Sequence, residues 1–194
     1  MRHLSKGFTL LELMVVIAII SILSALAVPS FLQLEARAKQ AEVKTNLRAL
    51  YTTEKAYYQE QNTYSQYVGQ IGFAIERSNR YQYNLNGTGS VNSDNRTGTA
   101  NYTALTADAI MIDTFRFPSS YLEAPMSAFK CGQNPNVVTG GFGSFLGGAQ
   151  GNIDGDYTTD QWSISSLGRV TAGCDAAANV PAGEPANDQN DVNQ

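Results

Sequence analysis

The stretch KGFTLLELMVVIAIISILSALAVPSF, residues 6–31, limits most strongly what this chain can fold into. The 21 residues from Phe8 to Val28 include one charged side chain, Glu12, and a bilayer needs about 20 apolar residues for a spanning helix. Arg2 and Lys6 precede this run without any acidic residue, and a flank of this kind stays on the cytoplasmic side. The stretch therefore predicts a membrane helix with a basic leader at the cytoplasmic face.

Glu12 is the feature of this run that a simple anchor does not explain. A carboxylate in the membrane core costs on the order of a few kcal/mol, and such a residue ordinarily has a partner and a function. No other charged residue lies between Phe8 and Val28, so we expect the partner of Glu12 to belong to another molecule. Two simpler interpretations stay open on the residues alone: a secretory signal peptide cleaved after Ala25-Leu26-Ala27, and a signal anchor that merely tolerates Glu12.

The same residues resemble the N-terminus of a type IV pilin. The family pattern is a short basic leader that ends in glycine, followed by Phe-Thr-Leu-x-Glu and an apolar helix that contains a proline. The matching residues are Lys6, Gly7, Phe8, Thr9, Leu10, Glu12 and Pro29. The resemblance is close over about the first 60 residues, and the segments KTNLRALYTTEKAYYQE and GFAIERSNRYQY further resemble the long type IVa pilins of gliding and predatory bacteria.

The resemblance implies how this segment is processed and used. Prepilin peptidase would cut between Gly7 and Phe8 and then methylate the new amine of Phe8. During assembly, Glu12 would pair with the Phe8 amine of a neighbouring subunit. A free α-amine is positively charged at neutral pH, and the pair would remove an unpaired buried acid that costs several kcal/mol.

The resemblance also implies the partners and the location of the chain. The partners are other copies of itself in a helical filament, prepilin peptidase, and the machinery that assembles and retracts pili. The subunit would lie in the inner membrane before assembly and in the extracellular pilus, or fimbrium, afterwards. The proline that matches Pro29 would kink the helix.

Composition argues against catalysis and nucleic-acid binding. The chain has 13 basic and 17 acidic residues, and the loss of Arg2 and Lys6 with the leader changes the net charge from −4 to −6. An acidic chain does not favour sequence-independent binding to DNA, and we predict no specific nucleic-acid partner. The one histidine, His3, lies in the leader, so the mature chain has no imidazole for a catalytic dyad. We therefore predict that the chain is not an enzyme.

Two cysteines, Cys131 and Cys174, lie 43 positions apart. An even number of cysteines in an exported domain is typical of a disulfide, and the alternative is two free buried thiols. A disulfide across a loop of this length stabilises a fold by roughly 3–4 kcal/mol. The resemblance favours the disulfide, because type IV pilins commonly close a C-terminal loop in this way.

The segment GNIDGDYTTDQW is a candidate calcium site. Its oxygen-bearing side chains are those of Asn152, Asp154, Asp156 and Asp160. Alternating oxygen ligands suit Ca²⁺, and some type IV pilins and related pseudopilins bind Ca²⁺ in C-terminal loops of this kind. However, Tyr157 stands where an EF-hand has glycine, and Ser163 where it has its bidentate glutamate. We therefore favour a turn cluster in which these side chains cap backbone amides, with no cofactor, and keep calcium as the alternative.

Helical periodicity continues beyond Pro29. Ala36, Val43, Leu50 and Tyr57 recur every seven residues, while most charged residues fall on other faces. A proline removes one helical hydrogen bond and kinks a helix without always ending it. The sequence therefore predicts one helix over residues 8–61, apolar all round over residues 8–28 and amphipathic afterwards.

Beyond Asn62 the charged residues become sparse and short alternating runs appear. We predict strands at residues 81–85, 101–107, 111–117 and 161–165, with 168–173 returning antiparallel to the last. We predict loops at residues 86–99 and in the glycine-rich segment 139–148. Residues 1–7 are the predicted leader, 62–178 the globular head and 179–194 a flexible acidic tail. The predicted fold class is α+β: the type IV pilin fold, with one long N-terminal helix packed on a small antiparallel sheet.

These features together predict the major structural subunit of a type IV pilus of the long type IVa form. Such filaments serve twitching motility, adhesion or surface attachment. A minor pilin or a type II secretion pseudopilin shares the same N-terminus, and a membrane-anchored periplasmic binding module that never polymerises is a third interpretation. Filament abundance and the effect of replacing Glu12 distinguish them.

Overall fold

The computed structural model describes residues 7–87, 93–94, 96–97, 104–117, 129, 134–153, 158–170, 174 and 179–192. One helix, α1 (Leu10–Gln61), comprises 52 residues, which corresponds to a length of about 78 Å. Pro29 lies inside α1, so the predicted single helix through the proline is confirmed. It begins at Leu10 and not at Phe8 because Thr9 caps its first turn.

A left-handed residue ends the helix and turns the chain back along it. Asn62 has φ 54° and ψ 28°, and its N–H donates to the carbonyl of Tyr58 at 2.8 Å. Asparagine adopts this conformation more readily than most residues other than glycine. The chain after α1 therefore returns alongside the second half of the helix, where the head is built.

Nine strands follow within the described residues. They are β1 (Gln82–Asn84), β2 (Ser93–Asp94), β3 (Ala109–Ile110), β4 (Asn136–Val138), β5 (Ser144–Gly151), β6 (Asp160–Ser165), β7 (Arg169–Val170), β8 (Asn179–Val180) and β9 (Ala186–Gln189). Seven form one sheet in the order β2-β3-β1-β5-β6-β9, with β4 also paired to β5. All pairs in this sheet are antiparallel except β2–β3, and β7 and β8 form a separate pair. The predicted α+β class is confirmed.

The sheet packs on the second half of α1 through β5 and β6. The helix buries a stripe at spacings of three and four residues: Ala36, Gln40, Val43, Leu47, Leu50 and Glu54. The facing strands contribute Phe145 and Ile164, which are also buried. The predicted seven-residue repeat is confirmed at Ala36, Val43 and Leu50, whereas the buried polar positions 40 and 54 were not predicted.

Glycines in β5 let α1 approach the sheet closely. A Cβ atom at Gly147 would lie 2.7 Å from Cδ2 of Leu50, and one at Gly148 would lie 2.6 Å from Cζ of Phe129. The space that side chains would occupy is therefore filled by Leu50 and by Phe129. The prediction of a loop over residues 139–148 is accordingly wrong for 144–148, which belong to the longest strand, and only residues 139–143 form a turn.

Two of the predicted strands are confirmed: residues 81–85 contain β1, and residues 161–165 lie in β6. Residues 104–107 and 111–117 are not strands, and β3 lies between them; residues 101–103 are outside the described part.

Asp113 accounts for the absence of a strand at residues 111–117. Its carboxylate accepts hydrogen bonds from the Arg77 guanidinium at 2.9 and 2.7 Å and from the Ser78 N–H at 2.8 Å. These bonds hold the backbone in a turn at 114–116.

A segment close to the C-terminus is part of the sheet. Residues 186–189 form β9, which pairs with β6, and the side chains of Asp188 and Asp191 are 0% exposed. The prediction of a flexible tail over residues 179–194 is therefore wrong for residues 179–192, and residues 193–194 lie outside the described part. The predicted pairing of 168–173 with β6 is wrong for the same reason: β6 already pairs with β5 and β9, so β7 pairs with β8.

Glu54 is a buried carboxyl group between α1 and the head. It is 0% exposed; its Oε2 accepts one hydrogen bond, from the Ser65 N–H at 3.4 Å, and Oε1 has no partner among the described residues. Burial raises the pKa of Glu54 from 4.5 to about 8. The neutral form is favoured in the folded state, so the stability that it contributes is complete below pH 4.5 and is lost as the pH rises to about 8.

Replacing Glu54 with glutamine should remove this pH dependence. Between about pH 5 and about pH 8.5, we expect the detergent-solubilised wild-type chain to lose stability on the order of a few kcal/mol, and Glu54→Gln to lose much less. Thermal unfolding followed by circular dichroism at successive pH values measures both curves. Glu60→Gln, which changes an exposed carboxylate on the same helix, is the control, and a Glu54→Gln curve parallel to the wild-type curve would contradict the assignment.

Candidate assembly site

The start of α1 combines the carboxylate of Glu12 in the first turn with the hydroxyl of Thr9 at the N-cap, directly after Phe8, the first residue of the predicted mature chain. Oε2 of Glu12 accepts hydrogen bonds from the Thr9 N–H at 2.9 Å and from the Thr9 hydroxyl at 2.7 Å. The Thr9 hydroxyl oxygen accepts in turn from the Glu12 N–H at 3.2 Å. This reciprocal arrangement is a capping box, which satisfies two backbone N–H groups at the start of a helix. The sequence Thr-x-x-Glu before an apolar run is its usual signal, so it was open to prediction.

The capping box adds to the expectation about Glu12. Thr9 provides hydrogen-bond donors within the same helix, whereas the charged partner expected from another molecule stays a prediction. These bonds engage Oε2, and within the described residues Oε1 makes no hydrogen bond. The carboxylate can therefore keep its cap and still accept a charged donor from a neighbouring chain through Oε1.

The apolar half of α1 has no cover in the isolated subunit. Large apolar side chains from Phe8 to Leu34 are exposed, with Phe8 at 84% and Leu10 at 75%, and the helix is long and apolar enough to cross a membrane. The hydroxyl of Ser21 donates to the carbonyl of Ile17 at 2.7 Å, and that of Ser30 to the carbonyl of Leu26 at 3.3 Å. A helix that is apolar all round belongs in lipid or among other helices, so this half provides a surface for both.

The head is fixed to the helix by polar contacts as well as by its core. Nζ of Lys39 donates to the carbonyl of Ile153 at 2.6 Å, and Nε2 of Gln40 donates to Asp160 at 3.0 Å and to Asn190 at 3.1 Å. These bonds join α1 to the segments that end β5, begin β6 and follow β9. The orientation of the exposed apolar half relative to the head is thereby set within one subunit.

Asp160 is the centre of this polar network. Its side chain is 0% exposed and both carboxylate oxygens are engaged by donors. Oδ1 accepts from Gln40 Nε2 (3.0 Å), Asn187 Nδ2 (3.1 Å) and the Asp191 N–H (3.4 Å), and Oδ2 from the Tyr81 hydroxyl (2.6 Å) and Trp162 Nε1 (2.5 Å). Both oxygens of Asp160 are thus engaged by donors from the protein itself, and its place in the calcium set stays a prediction.

The other members of the predicted calcium set are not brought to one described site. Asn152 directly follows β5, and Asp154 and Asp156 lie outside the described residues. Within the part of the chain that the structure describes, no three histidine, cysteine or acidic side chains are arranged to hold a metal ion. The calcium hypothesis for residues 152–156 therefore stays a prediction.

Cys174 is disulfide-bonded. Cys131, its predicted partner, lies outside the described residues, so the pairing stays a prediction. Cys174 also lies close to β9, with its Sγ 3.7 Å from Oδ1 of Asp188. A covalent link at this position therefore acts on the segment that forms the last strand of the sheet.

Two family models match the chain. Residues 2–28 match the prokaryotic N-terminal methylation motif, and residues 34–160 match the type IV pilin PilA family. The type IV major pilin protein PilA of Myxococcus xanthus is 37% identical over 205 residues, which cover 97% of this chain and 93% of that protein. The type IV major fimbrial protein FimA of Dichelobacter nodosus and the type IV major pilin protein PilE1 of Neisseria gonorrhoeae are each 55% identical over 42 residues, which cover 22% of this chain and 26% of each relative.

The fold, the exposed apolar half-helix and these similarities define a membrane-anchored subunit of a surface filament. The chain belongs to the type IV pilin PilA family. Before assembly the subunit is anchored in the membrane by α1, and afterwards it is part of an extracellular pilus. Proteins of this family are structural subunits of pili.

Replacing Asp160 with alanine should destabilise the head strongly. The change leaves buried donors from four segments without an acceptor, and we expect a loss on the order of 3 kcal/mol or more. The exposed ion pair between Arg48 and Glu184 provides a contrast, since Glu184→Ala should cost about 1 kcal/mol or less. Chemical denaturation of the detergent-solubilised chain measures both variants.

The same denaturation in the presence of Ca²⁺ tests whether Asp160 is a hydrogen-bond acceptor within the protein or a metal ligand. We expect added Ca²⁺ to change the stability of the wild-type chain and of the Asp160→Ala variant by the same amount. A stabilisation by Ca²⁺ that disappears only in Asp160→Ala would show that this carboxylate is a metal ligand after all.

Proposed function

We propose that the mature chain, beginning at Phe8, is the major structural subunit of a type IV pilus used for twitching motility, adhesion or surface attachment. The observation that carries the proposal is the first half of α1. It is exposed, and from Phe8 to Val28 it is apolar with a single carboxylate, on Glu12, in the first turn of α1 close to the predicted new N-terminus. A surface of this kind is stable only in lipid or among identical helices.

Processing and assembly give each of these groups a role. Prepilin peptidase removes the leader after Gly7 and methylates the Phe8 amine. The positively charged amine of an incoming subunit then accompanies its apolar helix out of the inner membrane and donates to Oε1 of Glu12 in its neighbour. Oppositely charged groups in a dry surrounding interact more strongly than in water, so the contact favours one axial register over others. The assembly and retraction machinery of the pilus is the further partner.

A minor pilin or a pseudopilin is the second candidate. Both share the N-terminal motif, which is why the 42-residue similarities do not separate them. The major role is supported by the similarity to a major pilin over 97% of this chain. The discriminating observation is abundance, because a major pilin is the main protein of sheared surface fibres.

We propose further that the subunit folds without a cofactor. The support comes from Asp160, the one carboxylate of the predicted calcium set among the described residues, which is buried. Both of its oxygens accept hydrogen bonds from donors of the protein. Tyr81, Trp162 and Gln40 perform the linking role that a metal ion would otherwise have there. Any Ca²⁺ bound by residues 152–156 would be bound without Asp160.

Glu12→Ala should abolish pili while leaving the subunit in the membrane. The variant keeps the apolar helix but removes the acceptor for the neighbouring amine. We expect sheared surface protein to fall by about a hundredfold or more, with wild-type amounts in the membrane fraction. Glu60→Ala removes an exposed carboxylate from the other end of α1 and should leave the yield unchanged. Normal fibre yield from Glu12→Ala would exclude the proposed contact.

The intact mass and N-terminal sequence of the fibre protein test the processing. We expect a chain that starts with N-methylated Phe8 and is two hydrogens lighter than its reduced form. A chain that starts at Val28 would mean removal of an ordinary signal peptide, and the assembly role of Glu12 would then be excluded.

A further inference from the structure

Among the described residues of the head, Phe142 has the most exposed large apolar side chain. It lies in the turn between β4 and β5 with a relative exposure of 107%, which means that the ring touches almost nothing in its own subunit. Leaving a phenylalanine side chain in water forfeits the favourable transfer of its whole apolar surface. A single exposed apolar residue is common on protein surfaces. Exposure alone therefore does not indicate a function for Phe142, and the structure around it has to be considered.

The turn that carries Phe142 is firmly held. The Tyr58 hydroxyl donates to the carbonyl of Gly141 at 2.5 Å, and the Gly140 N–H donates to the Thr63 hydroxyl at 2.9 Å. Gly140 has φ 110°, a conformation that residues with a side chain rarely adopt. The turn is thus attached to the end of α1 at two points, and Phe142 projects from a fixed support.

A groove that can receive such a ring lies on the opposite flank of the sheet. It has a volume of about 480 Å³ and lies between α1 and the segment that joins β8 to β9. Its lining includes Lys44, Arg48, Trp162, Pro181, Glu184 and Pro185. Nζ of Lys44 lies 4.9 Å from the centroid of the Trp162 ring, so the groove combines apolar walls with a cation that can also interact with the face of an incoming aromatic ring.

The topology separates the turn and the groove in two directions. β4 and β1 pair on one side of β5, whereas β6 and β9 lie on the other. Along α1, Tyr58 beside the turn is 10 to 14 residues beyond Arg48 and Lys44 in the groove, which corresponds to about 15–21 Å. A projection and a groove on opposite flanks and at different heights do not meet within one subunit. They suit a heterologous contact between two copies, which generates an open helical assembly when the rotation does not close.

We infer that Phe142 of one subunit inserts into the groove beside Trp162 and Pro181 of another copy of this chain in the filament. This inference depends on the proposed function, because only polymerisation brings the two surfaces together. Pairing of Glu12 with a neighbour's Phe8 raises that neighbour by about four residues, or about 6 Å. A subunit a few such steps along the filament therefore has its groove at the height of Phe142.

Cysteine crosslinking in assembled pili tests the contact directly. Phe142→Cys combined with Pro181→Cys, which changes an exposed residue of the groove, should give a ladder of covalent oligomers on non-reducing gels of oxidised, sheared pili. Each single variant, and Phe142→Cys combined with Leu105→Cys on the β3 side of the head, should give monomers. Phe142→Cys removes the ring, so the pair should give pili at the reduced level expected of other variants that lack it. Pili of this pair that yield only monomers would overturn the inference and leave the proposed function intact.

The yield of pili gives an independent measure that does not require a new cysteine. We expect Phe142→Ser to lower the amount of sheared pili by about tenfold or more, since the contact loses a buried ring, with wild-type amounts of subunit in the membrane. Phe142→Leu should retain most of the yield. Phe115→Ser is the matched control, because Phe115 is another exposed phenylalanine of the head at 58% and should be dispensable.

The outcomes separate the inference from the function on which it depends. Wild-type yield from Phe142→Ser would overturn the contact and mean that Phe142 faces the outside of the filament. Equal losses from Phe142→Ser and Phe115→Ser would also overturn it, because the effect would not be specific to the groove. Absence of this chain from wild-type surface fibres would instead overturn the proposed function.

Discussion

The seam between the second half of α1 and the strands β5 and β6 is the interaction on which the rest of the structure depends. Leu50 lies against the backbone of β5 because Gly147 has no side chain, and the apolar stripe of α1 is covered only from Ala36 onwards. The 26 positions of α1 before Ala36 receive no cover from the head. The subunit thus has a buried core around the second half of α1 and an exposed apolar helix before it. The exposed part is the one that assembles.

Polar groups within this seam set its position. Gln40 and Glu54 interrupt an otherwise apolar stripe, and Gln40 meets a carboxylate that also binds Tyr81 and Trp162. A purely apolar seam tolerates sliding by one helical turn, whereas buried hydrogen bonds to named partners do not. Burial raises the pKa of Asp160 above its usual range, and the donors around it compensate for part of that burial. The heads therefore hold one position relative to the helices that form the filament core.

How much of this was predictable depends on how far apart the interacting residues lie in the sequence. The helix, its passage through Pro29 and the Thr9–Glu12 cap are local patterns, and the sequence predicts them or contains their signal. β1 and β6 alternate clearly enough to be predicted. The strand through Gly147 and Gly148 was missed because the side chains that fill its space, Leu50 and Phe129, come from distant segments. The last strand was missed because its polar residues are buried only through partners elsewhere in the sequence, such as Asp160, which accepts from Asn187 27 positions away.

The Thr9–Glu12 cap has a consequence for what happens when a pilus shortens. If Glu12 had no partner in the lone subunit, release from the filament would leave its carboxylate without any hydrogen-bond donor. Such a carboxylate could then pair with groups other than the Phe8 amine. With Oε2 held by Thr9, a subunit that left the proposed contact would give up the bond from its neighbour's amine and keep two bonds within its own helix. Under the proposed function, the returned subunit would be chemically the same as a newly processed one, and the same molecules could be assembled again.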